Sequence, residues 1–383
     1  MPSHSAPTRR PTTMTSDPGS ASTVLGESNA SKLDEMAQGD AVDAAGGAEH
    51  SPPPQGIPPA LMQLVPPDIS GDESSYLVLA YLEFRAAVHR DPTVPEFQAV
   101  LDRWDAGPGA AATHEVSQWI DALAALEPAL AAGGTLPATT IGALRDEVAM
   151  LPKALQGPWY LKLHAAAAYD NQRDNDIAKE GDGGGTCNVT ALGMALQGMG
   201  FDADAESLYQ GLDKTDQADP YGHMKDAVET ATQGADTLWM IACKNDKPEF
   251  WTGPVNALLE HGYGVLVHVY GQDAEGKQSG HVVRLQGVTP NGLVIDDPYG
   301  RESVGAGGVR HVDEYNHRRD GDKRKDDAGN DNLWAFDEFL GVRDGPMDIR
   351  FIAPDPLPAD IAGSVAKDGR VTGGVLDGRK VTN

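Results

Sequence analysis

A run of glycines, Gly183-Gly184-Gly185, delivers Thr186 and Cys187 to an apolar helix that reads from Cys187 to Met199, with Gly200 as its stop signal. Shorter helical patterns follow at Ala205 to Leu212 and Met224 to Ala231. Strand-like runs then take over at Thr237 to Cys243, Gly264 to Tyr270, His281 to Val288 and Gly292 to Asp296, with one helix, Pro248 to His261, among them. The last two strands are joined by Thr289-Pro290-Asn291-Gly292, a turn between two hydrophobic runs. Helices first and an antiparallel sheet second predict an α+β fold, with the apolar helix packed on the sheet.

The 383 residues exceed what this unit needs. Residues 1–70 are rich in Ser, Thr, Pro, Gly, Ala and Asp without hydrophobic periodicity, which predicts a disordered leader. From 71 to 155 the periodicity is helical, with segments at Tyr76 to Val88, Glu96 to Trp104, Thr113 to Pro128 and Ile141 to Leu151, and predicts a small bundle. Its His89 and His114 read as cap or surface groups, and Trp104 and Trp119 as core aromatics. The α+β domain is expected over 156–353, ending in a strand or helix at Asn332-Leu333-Trp334 and Phe336, and a flexible tail over 354–383.

The formal charge of −27 argues against nucleic acid as a partner. Arg318, Arg319, Lys323, Arg324 and Lys325 alternate with aspartates and read as a solvated loop. Two cysteines cannot build a disulfide scaffold. No run is long enough to cross a membrane and no signal-peptide core follows Met1, so the expected location is cytoplasmic, or exported by a route that uses no cleaved signal peptide.

A thiol at a helix start faces N–H groups that lack intrahelical partners and favour both a thiolate and an oxyanion. Cys187 therefore reads as a nucleophile, whereas Cys243, inside Leu238-Trp239-Met240-Ile241-Ala242-Cys243, reads as core. His281 opens a strand after a Gly271–Gly280 loop and is the candidate base. His268, mid-strand, and His261, at a helix end, have structural explanations. Asp297, between an apolar strand and Pro298, is the candidate for orienting His281; Asp296 is its rival, and alternation lets only one face the histidine. Gln172 lies upstream and is the candidate side-chain donor to an oxyanion. His311, Asp313 and His317 match no zinc spacing and read as a polar loop, and Asp213, Asp216 and Asp219 lack the glycine and terminal Glu of a calcium loop, so neither a metal nor another cofactor is expected.

In the order Gln172, Cys187-Asn188-Val189-Thr190 with Met194, Gly280-His281-Val282-Val283, and Asp297-Pro298, the chain resembles the papain-like cysteine peptidase superfamily. Within it, these strings resemble the bacteriocin-leader-processing (double-glycine) peptidases and their stand-alone relatives, over about residues 160–350. Asn188 stands where many of those relatives have Gly. The resemblance implies a papain-like fold and a cysteine peptidase or amidase using Cys187, His281, Asp297 and Gln172. It further implies a peptide, protein or peptidoglycan substrate, an antibacterial effector role, and a delivery or immunity partner. The competing readings are a processing peptidase for double-glycine leaders, a related acyl transferase, and a non-catalytic interaction protein that keeps the fold.

Overall fold

The computed structural model describes residues 56–172, 186–210, 220–243, 247–272, 278–304, 310–315, 327–340, 346–359, 361, 371–376 and 379–381. The leader up to residue 55, Gly183–Gly185, Asp213, Asp216, Asp219, His317 and the basic positions 318–325 lie outside the described residues.

The N-terminal half of the described chain is helical: α1 (Pro59–Met62), α2 (Gly71–Val88), α3 (Val94–Ala106), α4 (Ala110–Ala131), α5 (Ala138–Met150) and α6 (Lys153–Ala165). On α2 and α3, side chains satisfy first-turn N–H groups that a helix leaves open. Ser70 accepts from the Glu73 N–H at 3.1 Å, and Thr93 with Glu96 forms a capping box on α3. His89 closes α2 in the left-handed region, the cap role expected of it. Trp104 packs on Tyr76 with ring centroids 4.5 Å apart.

Two expected boundaries move. Ile57 and Leu61 are already buried in the bundle core, so packed chain begins ahead of residue 70; two apolar side chains on one short turn are too few to show a period. The expected boundary at 155 falls inside α6, whose Leu155, Trp159, Tyr160 and Leu163 belong to the same core. Pro152, Gly157 and Pro158 hide that helix in the sequence, because Pro and Gly read as breakers.

The mixed half contains α7 (Cys187–Gly198), α8 (Ala205–Gln210), α9 (Pro220–Ala231) and β1 (Thr237–Cys243). A helical stretch follows, α10 (Pro248–Phe250), a π turn (Trp251–Val255) and α11 (Asn256–Glu260); Pro254, which has no N–H to donate, lies in the widened turn. Then come β2 (Gly264–Gln272), β3 (Gln278–Thr289), β4 (Gly292–Asp296), β5 (Gly300–Val304), β6 (Arg310–Tyr315), β7 (Asn332–Ala335), α12 (Phe336–Phe339), β8 (Pro346–Ala353), β9 (Val371–Leu376) and β10 (Arg379–Val381). An eight-stranded sheet runs β10-β9-β1-β8-β2-β3-β4-β7, antiparallel throughout, and β5 pairs with β6 separately. This is the α+β fold expected.

Both faces of the sheet are covered. Helices α7 and α9 pack on one, through Leu192, Met194, Leu196 and Val228 against Leu238, Leu266, Val282 and Ile352. The helical stretch 248–260 and α12 cover the other, against Val265, Val267, Val283, Leu285 and Phe351. Each wholly buried Leu or Met contributes roughly 1.5–3 kcal/mol, so α7 is held by its packing and its polar first turn is free for other work.

Three sequence expectations are corrected here, and one strand, β8, was not among those expected. Of the loop expected over 271–280, the described residues Gly271, Gln272 and Gln278 to Gly280 are paired strand, which makes His281 an interior residue of β3. The flexible tail contributes β9 and β10, laid on the edge of β1. His311 and Asp313 sit on strand β6 rather than in a polar loop. Finally, β8 occupies the middle of the sheet with Asp348 and Arg350 alternating against Ile349 and Phe351; His268 Nδ1 meets Asp348 Oδ2 at 2.6 Å, which gives His268 the structural explanation expected of it. His261 likewise bonds the Ala257 carbonyl at 2.8 Å. Trp334 is wholly buried and stacks on Phe339 at 4.5 Å, a packing residue as read.

Bundle and sheet meet through α5, α6 and α7. Arg145 on α5 donates to the Gly262 carbonyl at 2.8 Å. Gly200, at φ 90°, ends α7 so close to α5 that a Cβ there would lie 2.4 Å from the Gly142 Cα. No helix among the described residues is long and apolar enough to cross a membrane.

Candidate active site

Cys187 is the first residue of α7, and no side chain caps that turn. Thr190 returns to it instead: its N–H and its hydroxyl both bond the Thr186 carbonyl, at 3.0 and 2.9 Å. The Val189 N–H is taken up by Asn188 Oδ1 at 2.9 Å, and the positive end of the helix dipole lies at Cys187. Met194, two turns along, receives the Asp170 N–H on its sulfur at 3.2 Å and so ties the 169–172 segment to the nucleophile helix.

The sheet supplies the partners. The β3–β4 ladder ends at the pair Arg284–Asp296; beyond it β4 turns away and the front of β3 has no neighbour on that side among the described strands. His281 lies on this open edge, buried, and Cys187, a free thiol with partial exposure, hydrogen-bonds to it. His281 Nε2 meets Asp297 Oδ1 at 2.7 Å, which leaves Nδ1 for the cysteine. The Val282 backbone N–H also donates to Cys187.

Asp297 is wholly buried and held from several directions. Its N–H donates to the Gly329 carbonyl at 2.8 Å, its carbonyl accepts from Tyr169 Oη at 2.6 Å, and its Oδ1 accepts the Tyr299 N–H at 2.8 Å. Its Oδ2 has no hydrogen-bond partner among the described residues. Asp296 turns the other way and pairs with Arg284 at 2.8 Å, so the choice left open by alternation falls to Asp297. The Tyr299 ring stands edge-on to His281, centroids 6.3 Å apart. Gln172 is buried beside this turn, its N–H on the Pro298 carbonyl at 3.0 Å.

The electrostatics favour an ion pair. Burial pushes the Cys187 thiol up, but the hydrogen bond and charge of His281 and the Val282 N–H outweigh it and hold the thiol below its ordinary value, against a small opposing effect from Asp297. Burial pushes His281 down, yet Asp297 and then Cys187 raise it to about 10. The two titrate as a unit. A thiolate beside an imidazolium, at a helix N-terminus, is equipped to attack a carbonyl and protonate a leaving group. Glu302 adds a second buried carboxylate, and donor atoms of His281, Asp297 and Glu302 lie within 4.8 Å of one another. A cation there would require neutral His281, which the raised basicity of that ring disfavours.

All four sequence-predicted site residues thus lie around one turn of α7 and the fork of β3 and β4, Gln172 by its backbone bond to Pro298. The side chain of Cys243 lies outside the described residues. Tyr169, Tyr299, Gly329 and Arg284 were not anticipated. The signal for Arg284 was present: it is a lone charge in the apolar run Val282-Val283-Arg284-Leu285, and the turn at 289–292 folds it back opposite Asp296.

Residues 165–317 match the model of the Peptidase_C39 like family, a span that includes Gln172, Cys187, His281 and Asp297. No curated protein and no solved structure matches the chain. With its helix-on-sheet fold and this match, the segment 165–317 is related to the Peptidase_C39 like family, within the papain-like cysteine peptidase superfamily.

Proposed function

We propose that this protein is a cysteine hydrolase of peptide or amide bonds. The Cys187 thiolate attacks the carbonyl carbon, and the oxyanion is received by the Cys187 N–H and the Gln172 side-chain amide. The imidazolium of His281 gives its Nδ1 proton to the departing amine, leaving a thioester on Cys187. His281, now neutral, takes a proton from water as its oxygen adds to the thioester, and the carbon–sulfur bond breaks to release the acid. Asp297 fixes the ring through Nε2 and supports its positive charge. The observation that carries this reading is His281 placed between Cys187 and a wholly buried Asp297 at 2.7 Å.

The proposed substrates are peptidoglycan stem peptides or a protein target met as an antibacterial effector. Wild-type protein, Cys187→Ala and His281→Ala are incubated with purified sacculi and, separately, with a peptide library containing double-glycine sequences, and the products are read by mass spectrometry. Peptides released from sacculi by the wild type alone support the first substrate; cleavage after Gly-Gly replaces it with the leader-processing reading. Normal cleavage by either variant refutes the mechanism.

A further inference from the structure

The ion pair Arg284–Asp296 is buried to about 1% exposure on both side chains. Burial pushes Arg284 down and Asp296 up, and their mutual attraction opposes both. Such a pair is poor value as a source of stability, since desolvation offsets most of the attraction and apolar residues of like volume serve as well. Its position gives it another use. Arg284 and Asp296 form the last rung of the β3–β4 ladder, His281 precedes the one strand position by three residues and Asp297 follows the other directly.

The guanidinium touches more than this rung. Its Nη2 donates to the His164 carbonyl, in the last turn of α6, which also accepts the Ala167 N–H at 3.3 Å and where the helix dipole favours a cation. A Cβ at Gly198, near the end of α7, would lie 2.9 Å from the same Nη2. Asp296 in turn accepts the Asp331 N–H at 3.2 Å through Oδ1, next to the turn whose Gly329 carbonyl holds the Asp297 N–H. Asp331 is itself bound by Gln286 at 2.6 Å. The charged and titratable groups around the guanidinium are thus Asp296, Asp331, and His164, which burial and then the charges of Arg284 and Arg145 keep neutral.

We infer that Arg284 is a positioning residue: through Asp296 and the His164 carbonyl it sets the opening of the β3–β4 fork, and so the distance between His281 and Asp297, with the nucleophile helix seated against it. This rests on the catalytic reading of Cys187, His281 and Asp297. The five fixed donors of Arg suit it to span a carboxylate and a carbonyl, which a lysine ammonium in the same space does not reproduce.

The test labels full-length protein with iodoacetamide across pH 4–10 and reads Cys187 by peptide mass spectrometry, with thermal melts in parallel, for wild type, Arg284→Lys, Asp296→Asn and Gly198→Ala. The last keeps both charges and crowds Nη2 first, with His164 Nδ1 next at 3.3 Å, so it guards against variants that do not fold. Loosening the fork weakens support for the imidazolium and raises the midpoint for Cys187 labelling by about one pH unit in Arg284→Lys and Asp296→Asn, roughly tenfold slower labelling below the midpoint, with a smaller shift in Gly198→Ala. Folded variants with lowered melting temperatures and an unmoved midpoint would overturn the positioning role and leave the catalytic reading intact. A wild type without low-pH labelling of Cys187 would overturn the catalytic reading, and this inference with it.

Discussion

Replacing Asp297 by Asn isolates one electrostatic contribution. The amide oxygen can still accept from His281 Nε2 and from the Tyr299 N–H, and the amide nitrogen takes the place of Oδ2, which has no hydrogen-bond partner among the described residues. Shape is kept and the charge is lost. Burial depresses His281, while Asp297, the largest of the opposing influences, and Cys187 raise it from 6.5 to about 10. That rise corresponds to about 5 kcal/mol in favour of imidazolium, and Asp297 heads the groups that supply it, so the upper limit of the protonated ring falls by roughly two units without its charge. At pH 9 the protonated fraction drops from about nine-tenths to about one-tenth. For catalysis the sign is one-sided. Asp297 itself pushes the Cys187 thiol up, so removing its charge partly offsets the weaker imidazolium, and the acid limb moves less than the alkaline limb. Histidine labelled with 13C at Cε1, with His281 assigned by its own replacement, reports the titration directly by NMR. An alkaline limit in Asp297→Asn equal to that of the wild type would refute the reasoning.

Other expectations follow from the same geometry. Cys187→Ala and His281→Ala should reduce peptide hydrolysis to background while far-ultraviolet circular dichroism and melting stay cooperative. Gly329→Ala places a Cβ 1.8 Å from the Asp297 carbonyl oxygen and 2.6 Å from Tyr169 Oη, so it should lower stability by about 1–3 kcal/mol in urea unfolding and depress turnover more than a remote substitution of equal stability does. Tyr169→Phe removes the 2.6 Å bond to the Asp297 carbonyl and should cost about 0.5–1.5 kcal/mol, read by the same unfolding experiment. Thr190→Val deletes the buried bond to the Thr186 carbonyl; faster amide exchange at the start of α7 and slower labelling of Cys187 at pH 6 are the expected outcome.

The helix that begins at Cys187 and the strands around His281 and Asp297 were legible because each is a short run with a clean period and a punctuating Gly or Pro. Elements were missed where local and tertiary preferences part. Helix α6 carries Pro158 within it and is held by the bundle core rather than by propensity. Strand β8 carries Asp348 and Arg350 into the middle of the sheet, where their mutual pair and the neighbouring His268 satisfy them. The hairpin extension beyond His281 depends on cross-strand pairing that no single strand announces. The rivalry of Asp296 and Asp297 could be posed from alternation but was decided by Arg284, a partner on another strand. Gly329 and Tyr169 act through backbone atoms of Asp297 from distant positions in the chain, and sequence spacing carries no trace of that.

The meeting of Gly142 and Gly200 has a consequence for how this protein can be rebuilt. The two backbones approach so closely that Gly200 has no room for a methyl group, and one at Gly142 would press on the Gly200 carbonyl oxygen at 3.2 Å. One glycine lies in the bundle and the other within the span that resembles the peptidase family. That span is therefore not a cassette: grafted behind a different helical partner, it keeps its own half of a keyhole and loses the matching key. Recombination between relatives should succeed at junctions ahead of α5 or beyond Gly200, where both glycines are inherited from one parent, and fail at junctions between them.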